Sequence, residues 1–349
     1  MTIDEQPPTA KRRQPRGVGR PIRLQERDLD LFHSLAEGRY LSVPAIEWLH
    51  WPTWRERYKV YLEQRKTDPA ATFYPASDIY SRLVALRSGA APLIYRLVRA
   101  AERASVVYAR LPDAYVLAED GAALLCARRG YELDQLWYED PRKRSIKNFE
   151  HSVAIGTFYA ALRCALEFAG QQLVDWRGDH LLASRDRAGN GPSYDRVPAS
   201  WVGKDGRLKE ADLAVLPDGT WTMGGQRYFV EVDQGTTNLD SWAEKARAYE
   251  AYRGSAQLQA RYRTDGFTVL IVAPTEPRLQ RIAGEIVKVT RHTSPSYLFA
   301  TQDRIHPTRI RPGWKELTSL TWTRRQVVDR LLDLPEQLRF SAHPLWQNP

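Results

Sequence analysis

Apolar residues fall at helical spacing from Leu24 onward, with Leu31, Phe32 and Leu35 on one side and Gly38 as the stop. Ser42 reads as the N-cap of a short second helix. Pro44 sits in its first turn, and Ile46, Trp48 and Leu49 form its apolar side. A third helix begins at Ser77 and turns Ile79, Leu83, Val84 and Leu86 inward, which leaves Arg82 and Arg87 outward. Two β-like runs follow, 93–98 and 106–111, carrying Arg96, Arg99, Arg103 and Arg110 as a basic hairpin. Residues 114–130 then read as a strand, a turn and a closing helix. Three helices and a basic hairpin make a winged-helix layout, in which the third helix enters the major groove and the hairpin touches the backbone.

The pattern changes after a charged connector at 134–147, a candidate boundary between two domains. Residues 148–169 form a long helix striped by Val153, Phe158, Leu162 and Leu166. A strand at 172–176, a polar loop and a strand through Ala211, Leu213 and Val215 come next, and Pro217-Asp218-Gly219 reads as a turn. The next strand, through Tyr228 to Asp233, puts Phe229, Glu231 and Asp233 on one face. A helix over 239–252 carries Lys245, Tyr249 and Tyr252; 267–274 is a buried-strand run, 278–289 a helix and 297–301 a last strand. Residues 1–23 are an arm, 24–140 and 141–305 the two domains, and 306–349 a tail of irregular structure.

The length of 349 residues fits two domains, and 43% hydrophobic residues can supply their cores. No stretch is long and apolar enough for a membrane span and there is no signal-peptide pattern, so a cytoplasmic location is expected. Two cysteines, Cys126 and Cys164, exclude a disulfide scaffold and read as small core residues. Charge sharpens the picture further. The net +9 is concentrated in residues 11–110, which hold 19 Lys and Arg against 10 Asp and Glu. A localised excess of this kind is the footprint of a polyanion binder, here double-stranded DNA. The segment 11–23 adds Lys11, Arg12, Arg13, Arg16 and Arg20 among prolines and glycines, as an extended arm suited to a minor groove or as a solubilising tail. Between the second and third helices, Trp48, Trp51, Trp54, Tyr58 and Tyr61 interleave with Arg55, Arg57 and Lys59. The aromatics are expected to pack on the domain and the cations to meet solvent or phosphate.

Carboxylates on an otherwise apolar strand face are costly unless paired or bound to a cation. Glu231 and Asp233 share such a face, and Asp212 is expected to meet them from the neighbouring strand. Converging Asp and Glu oxygens suit Mg²⁺ or Mn²⁺, which could activate water for phosphodiester hydrolysis, with Lys245 stabilising the developing charge. Pairing with Lys209, Arg227 or Lys245 is the competing explanation. His151 is placed to line the same cleft or to be a hydrogen-bonded core residue.

The helix–strand–strand–strand–helix–strand order, with Glu210-Ala211-Asp212 on the second strand and Glu231-Val232-Asp233-Gln234-Gly235-Thr236 on the third, resembles the restriction-endonuclease-like PD-(D/E)xK fold. Together with the Tyr115-Val116-Leu117…Asp120-Gly121 turn, the Glu150-His151 helix start and Lys245…Tyr249…Tyr252, the chain is similar to the replication-relaxation family of plasmid and mobile-element proteins over about residues 24–290. The resemblance implies an α+β or α/β protein: a winged helix-turn-helix domain followed by a nuclease-like α/β domain. It implies a nucleoid- or plasmid-associated DNA-binding protein, dimeric or partnered with a relaxase or replication protein. It also maps metal positions onto Asp212 and Glu231. Asp233 stands where the fold usually has a lysine, a role Lys245 would take from the next helix, and His151 stands where the fold often has a Glu. Two readings remain: a metal-dependent nickase, and a non-catalytic regulator whose nuclease-like domain dimerises or senses a ligand.

Overall fold

The computed structural model describes residues 22–88, 91–97, 113–140, 148–183, 194–203, 205–290 and 296–308. The fold is mixed α+β. In the first half, α1 (Glu26–Gly38) leads through β1 (Leu41–Ser42) into α2 (Val43–His50). Ser42 caps α2 as its composition predicts, its hydroxyl accepting from the Ala45 amide at 3.4 Å. Next come α3 (Trp54–Thr67), α4 (Ser77–Arg87), β2 (Ile94–Leu97), β3 (Ala114–Leu117) and α5 (Glu119–Arg129). Gly130 ends α5 in the left-handed region at φ 73°, which a glycine adopts without a Cβ clash. The three strands form an antiparallel sheet in the order β1-β3-β2. The expected run 106–111 lies outside the described residues, and β2 pairs instead with β3, Ile94 facing Leu117. Val84, expected inward, is 45% exposed.

The second half opens with α6 (Phe149–Phe168), β4 (Val174–Gly178) and the short α7 (Asp179–Leu182). A two-stranded ribbon follows, β5 (Asp195–Val202) against β6 (Leu208–Val215). Then come β7 (Gly219–Met223), β8 (Gln226–Val232), α8 (Leu239–Tyr252), α9 (Ala256–Tyr262), β9 (Phe267–Ala273), α10 (Glu276–Val289) and β10 (Ser296–Thr301). Five strands make one sheet in the order β10-β9-β8-β7-β4, parallel from β8 to β10 and antiparallel at β7 and β4. Tyr228, Val230, Val232, Leu270 and Val272 point to the face covered by α6, while Phe229, Val269 and Ile271 point to α8 and α10. Coverage on both faces explains why β9 is an unbroken apolar run.

One hydrophobic cluster crosses the expected boundary near residue 140. It joins Leu31, Phe32 and Leu35 of α1 to Ile155, Phe158 and Tyr159 of α6 and to Trp176 and Trp221 of the large sheet. Polar contacts reinforce the joint. Arg163 donates to Tyr159 Oη at 2.8 Å, Ser34 Oγ at 3.1 Å and Glu37 at 3.2 Å, and the Trp176 indole donates to the Glu37 carbonyl at 3.1 Å. At the crossing point a Cβ on Gly156 would lie 2.1 Å from the Tyr40 carbonyl oxygen. Because the obstacle is backbone, Gly156→Ala should lower stability by about 1–3 kcal/mol, read from urea unfolding.

Candidate functional site

Asp218, Glu231, Lys245, Tyr249 and His151 form the candidate site. Glu231 is placed by β8 on the face toward α8, only 1% exposed. Lys245 and Tyr249 project from α8 four residues apart, so they reach it from one side of that helix. Lys245 Nζ donates to Glu231 Oε2, and the Tyr249 hydroxyl donates to Oε1 at 2.5 Å. Asp218 immediately precedes β7. One of its oxygens accepts from the Val232 amide at 2.6 Å and the other meets His151 Nε2 at 2.9 Å. The Asp179 amide donates to the Asp218 carbonyl at 2.9 Å, so the start of α7 also fixes this corner.

The electrostatics follow from burial and pairing. Burial pushes the Glu231 carboxyl above the usual carboxylate range, against the pull of Lys245. Burial would push the Lys245 ammonium down, but the charges of Glu231 and Asp218 override it and hold it above its ordinary value. Burial alone would likewise lower the His151 imidazole; its bond to Asp218 and the charges of Asp218 and Asp179 raise it instead.

The structure does not bring together the Asp212, Glu231 and Asp233 set expected from sequence. Asp212 lies on β6, which pairs with β5 and not with β8. Its side chain is exposed, on the ribbon face opposite Leu213 and Val215. Asp233 is buried but held by Arg278, with contacts of 2.7 and 3.1 Å to its two oxygens, and by the Gly235 amide at 3.0 Å. Among the described residues no group of three or more His, Cys, Asp or Glu side chains could hold a metal ion. Asp218, just before the neighbouring β7, is the aspartate whose charge acts on Glu231. In sequence Pro217-Asp218-Gly219 reads as a turn, and the local signal is a Pro-Asp pair leading into the short run Thr220-Trp221-Thr222.

Of the residues expected to meet DNA, Lys11, Arg12, Arg13, Arg16, Arg20 and Arg99 lie outside the described residues. Arg82 does not point away from the core: it grips buried Asp28, one contact being 2.8 Å, and donates to the Arg23 carbonyl at 3.0 Å. Arg57 is bound to buried Glu47 and the Tyr74 carbonyl. Arg55 lies over the Phe168 ring at 3.3 Å, Lys59 pairs with Glu56 at 2.9 Å on the exposed side of α3, and Arg96 pairs with Asp113. Arg87 is exposed at the end of α4. The aromatics between α2 and α4 pack as expected: Trp54 and Tyr58 are buried beside Cys164, and Tyr58 stacks on His306 at 4.5 Å. Burial pushes the Cys164 thiol up to about 12, as befits a core residue.

No helix among the described residues is long and apolar enough to cross a membrane. The family model described as replication-relaxation matches residues 32–270, about two thirds of the chain. No curated protein and no solved structure matches significantly.

Proposed function

Because the chain belongs to the replication-relaxation family, which suggests a role in replication or relaxation of a plasmid or other mobile element, we propose that it binds duplex DNA through a winged-helix module and nicks it at a nuclease-like site. The observation that carries this reading is the convergence of Asp218, just before β7, Glu231 of the adjacent β8 and Lys245 of the following helix. The order α1-β1-α2-α4-β2-β3, with sheet order β1-β3-β2, supports the winged-helix half, and α3 is then an insert. The basic excess of residues 11–110 supplies the affinity for phosphate.

Asp218 and Glu231 would hold Mg²⁺ or Mn²⁺. Two carboxylates are a sufficient protein contribution when substrate phosphates and water complete the shell, and the buried pair already has a cation, Lys245, against it. The metal would act as a Lewis acid on the phosphodiester and lower the pKa of bound water. Lys245 Nζ neutralises charge developing on phosphate oxygens, and His151 Nε2, oriented by Asp218, holds or transfers a proton. Association with the nucleoid or plasmid, self-association as a dimer and a relaxase or replication partner belong to the same reading.

One observation favours a second reading, a non-catalytic regulator. Both oxygens of Asp218 and both of Glu231 have protein partners, so the cluster is satisfied as a structural network. Incubating the full chain with supercoiled plasmid and Mg²⁺ or Mn²⁺, alongside a metal-free gel shift, separates the two. Binding without nicking over several DNA forms would leave only the regulator. Deleting residues 1–23 should weaken binding and flatten its salt dependence by roughly five units of log–log slope if all six cations of 11–23 meet phosphate. An unchanged slope would remove the arm from the interface.

A further inference from the structure

We propose that the solvent-facing stripe of α4 reads thymine methyl groups in the major groove; this rests on the duplex-DNA reading above. Ser77, Tyr80, Ser81, Val84 and Ser88 recur at helical spacing on the side opposite buried Ile79, Leu83 and Leu86, and all five are exposed. Tyr80 and Val84 are 43% and 45% exposed, so two apolar side chains one turn apart stand in solvent. Two charges on this helix have partners elsewhere in the domain. Asp78 accepts from the Trp51 indole at 2.8 Å, and Arg82 is turned to Asp28. What remains is a surface of apolar groups and hydroxyls, those of Ser81 and Ser88 donating to the Ser77 and Val84 carbonyls, bordered by exposed Arg87 and by Arg96, which is paired with Asp113.

Such a surface is poorly made for gripping phosphate and well made for base edges. Hydroxyls can donate to or accept from any base, and an apolar side chain distinguishes thymine by its C5 methyl. Exposed Arg87 and the net basic charge of residues 11–110 favour a polyanion over an apolar protein partner. The helix is also held rigidly: Glu47 accepts from the Ala76 amide at 3.1 Å, in addition to the Asp78 and Arg82 contacts.

The test selects a duplex from a random-sequence library with the full chain, then replaces its thymines by uracil. The phosphate charge is unchanged and only the C5 methyls are lost. Affinity should fall roughly four-fold per methyl buried against Val84 or Tyr80. Val84→Ala should reduce the thymine-to-uracil ratio while leaving the salt dependence and the melting temperature unchanged. Equal affinity for the two duplexes, a selection that enriches nothing, or an enriched duplex whose bound site lacks thymine would overturn the inference and leave DNA binding standing. A change of oligomeric state in Val84→Ala with the ratio intact would reassign the stripe to a protein contact. Failure to bind any duplex would remove the duplex reading itself.

Discussion

On the nickase reading proposed above, replacing Asp218 and Glu231 together by alanine will reduce metal-dependent nicking of supercoiled plasmid to background, a loss of roughly 10³-fold or more, while Asp212→Ala will leave it at the wild-type rate. The contrast follows from position. Asp218 and Glu231 are buried, and the charge of each acts on Lys245. Asp212 is exposed on β6, which among the described residues pairs with β5 alone. Because Asp218 also holds the Val232 amide, alanine risks local unfolding. Asp218→Asn and Glu231→Gln keep the shape and remove the charge, so they should lose nicking with folding retained, checked by circular dichroism. Nicking that survives both isosteric changes would take this cluster out of the chemistry. A loss in Asp212→Ala equal to that in the double variant would bring the ribbon carboxylate back into the site.

Period-2 alternation put Leu213 and Val215 on a buried face and Asp212 on the other, and the structure agrees. What alternation does not contain is the identity of the neighbouring strand. The segment Asp195–Val202 contains Pro198 and charged residues and reads as loop, yet it pairs with β6 along its whole length and draws β6 out of the main sheet. Met223 and Gly219 bound a five-residue strand too short to stand out, and that strand carries Asp218 to the edge of β8. Long apolar patterns were legible: α6, β9 and the Lys245–Tyr249–Tyr252 spacing of α8 appear where periodicity put them. Arg82 was not, because its partner Asp28 lies 54 residues away and nothing local announces that this aspartate is buried. The joint between the halves was hidden for the same reason. A charged connector signals a boundary in sequence, whereas the packing of α1 on α6 depends on Gly38 and Gly156 leaving room, which no periodicity records.

Lys245→Ala will destabilise the folded chain by about 3–5 kcal/mol at neutral pH, because it leaves a buried carboxylate without its cation. Tyr249 still donates to Glu231, which favours the lower end of that range. Pairing the change with Glu231→Gln should recover most of the loss, and the double-mutant cycle measures the coupling. The deficit must also depend on pH, and its sign is fixed. Burial pushes the folded Glu231 carboxyl above its unfolded value near 4.5, and removing the ammonium that pulls it down raises it further. The folded variant then holds a proton that the unfolded chain releases. Its penalty is therefore full above the raised folded pKa, and shrinks as pH falls through that value toward the unfolded one. Urea unfolding of wild type and variant at about pH 7.5 and pH 5 should show the smaller difference at the lower pH. An equal difference at both would mean that the lost volume of the lysine side chain, whose Nζ lies 5.4 Å from the Trp242 ring centre, matters more than its charge.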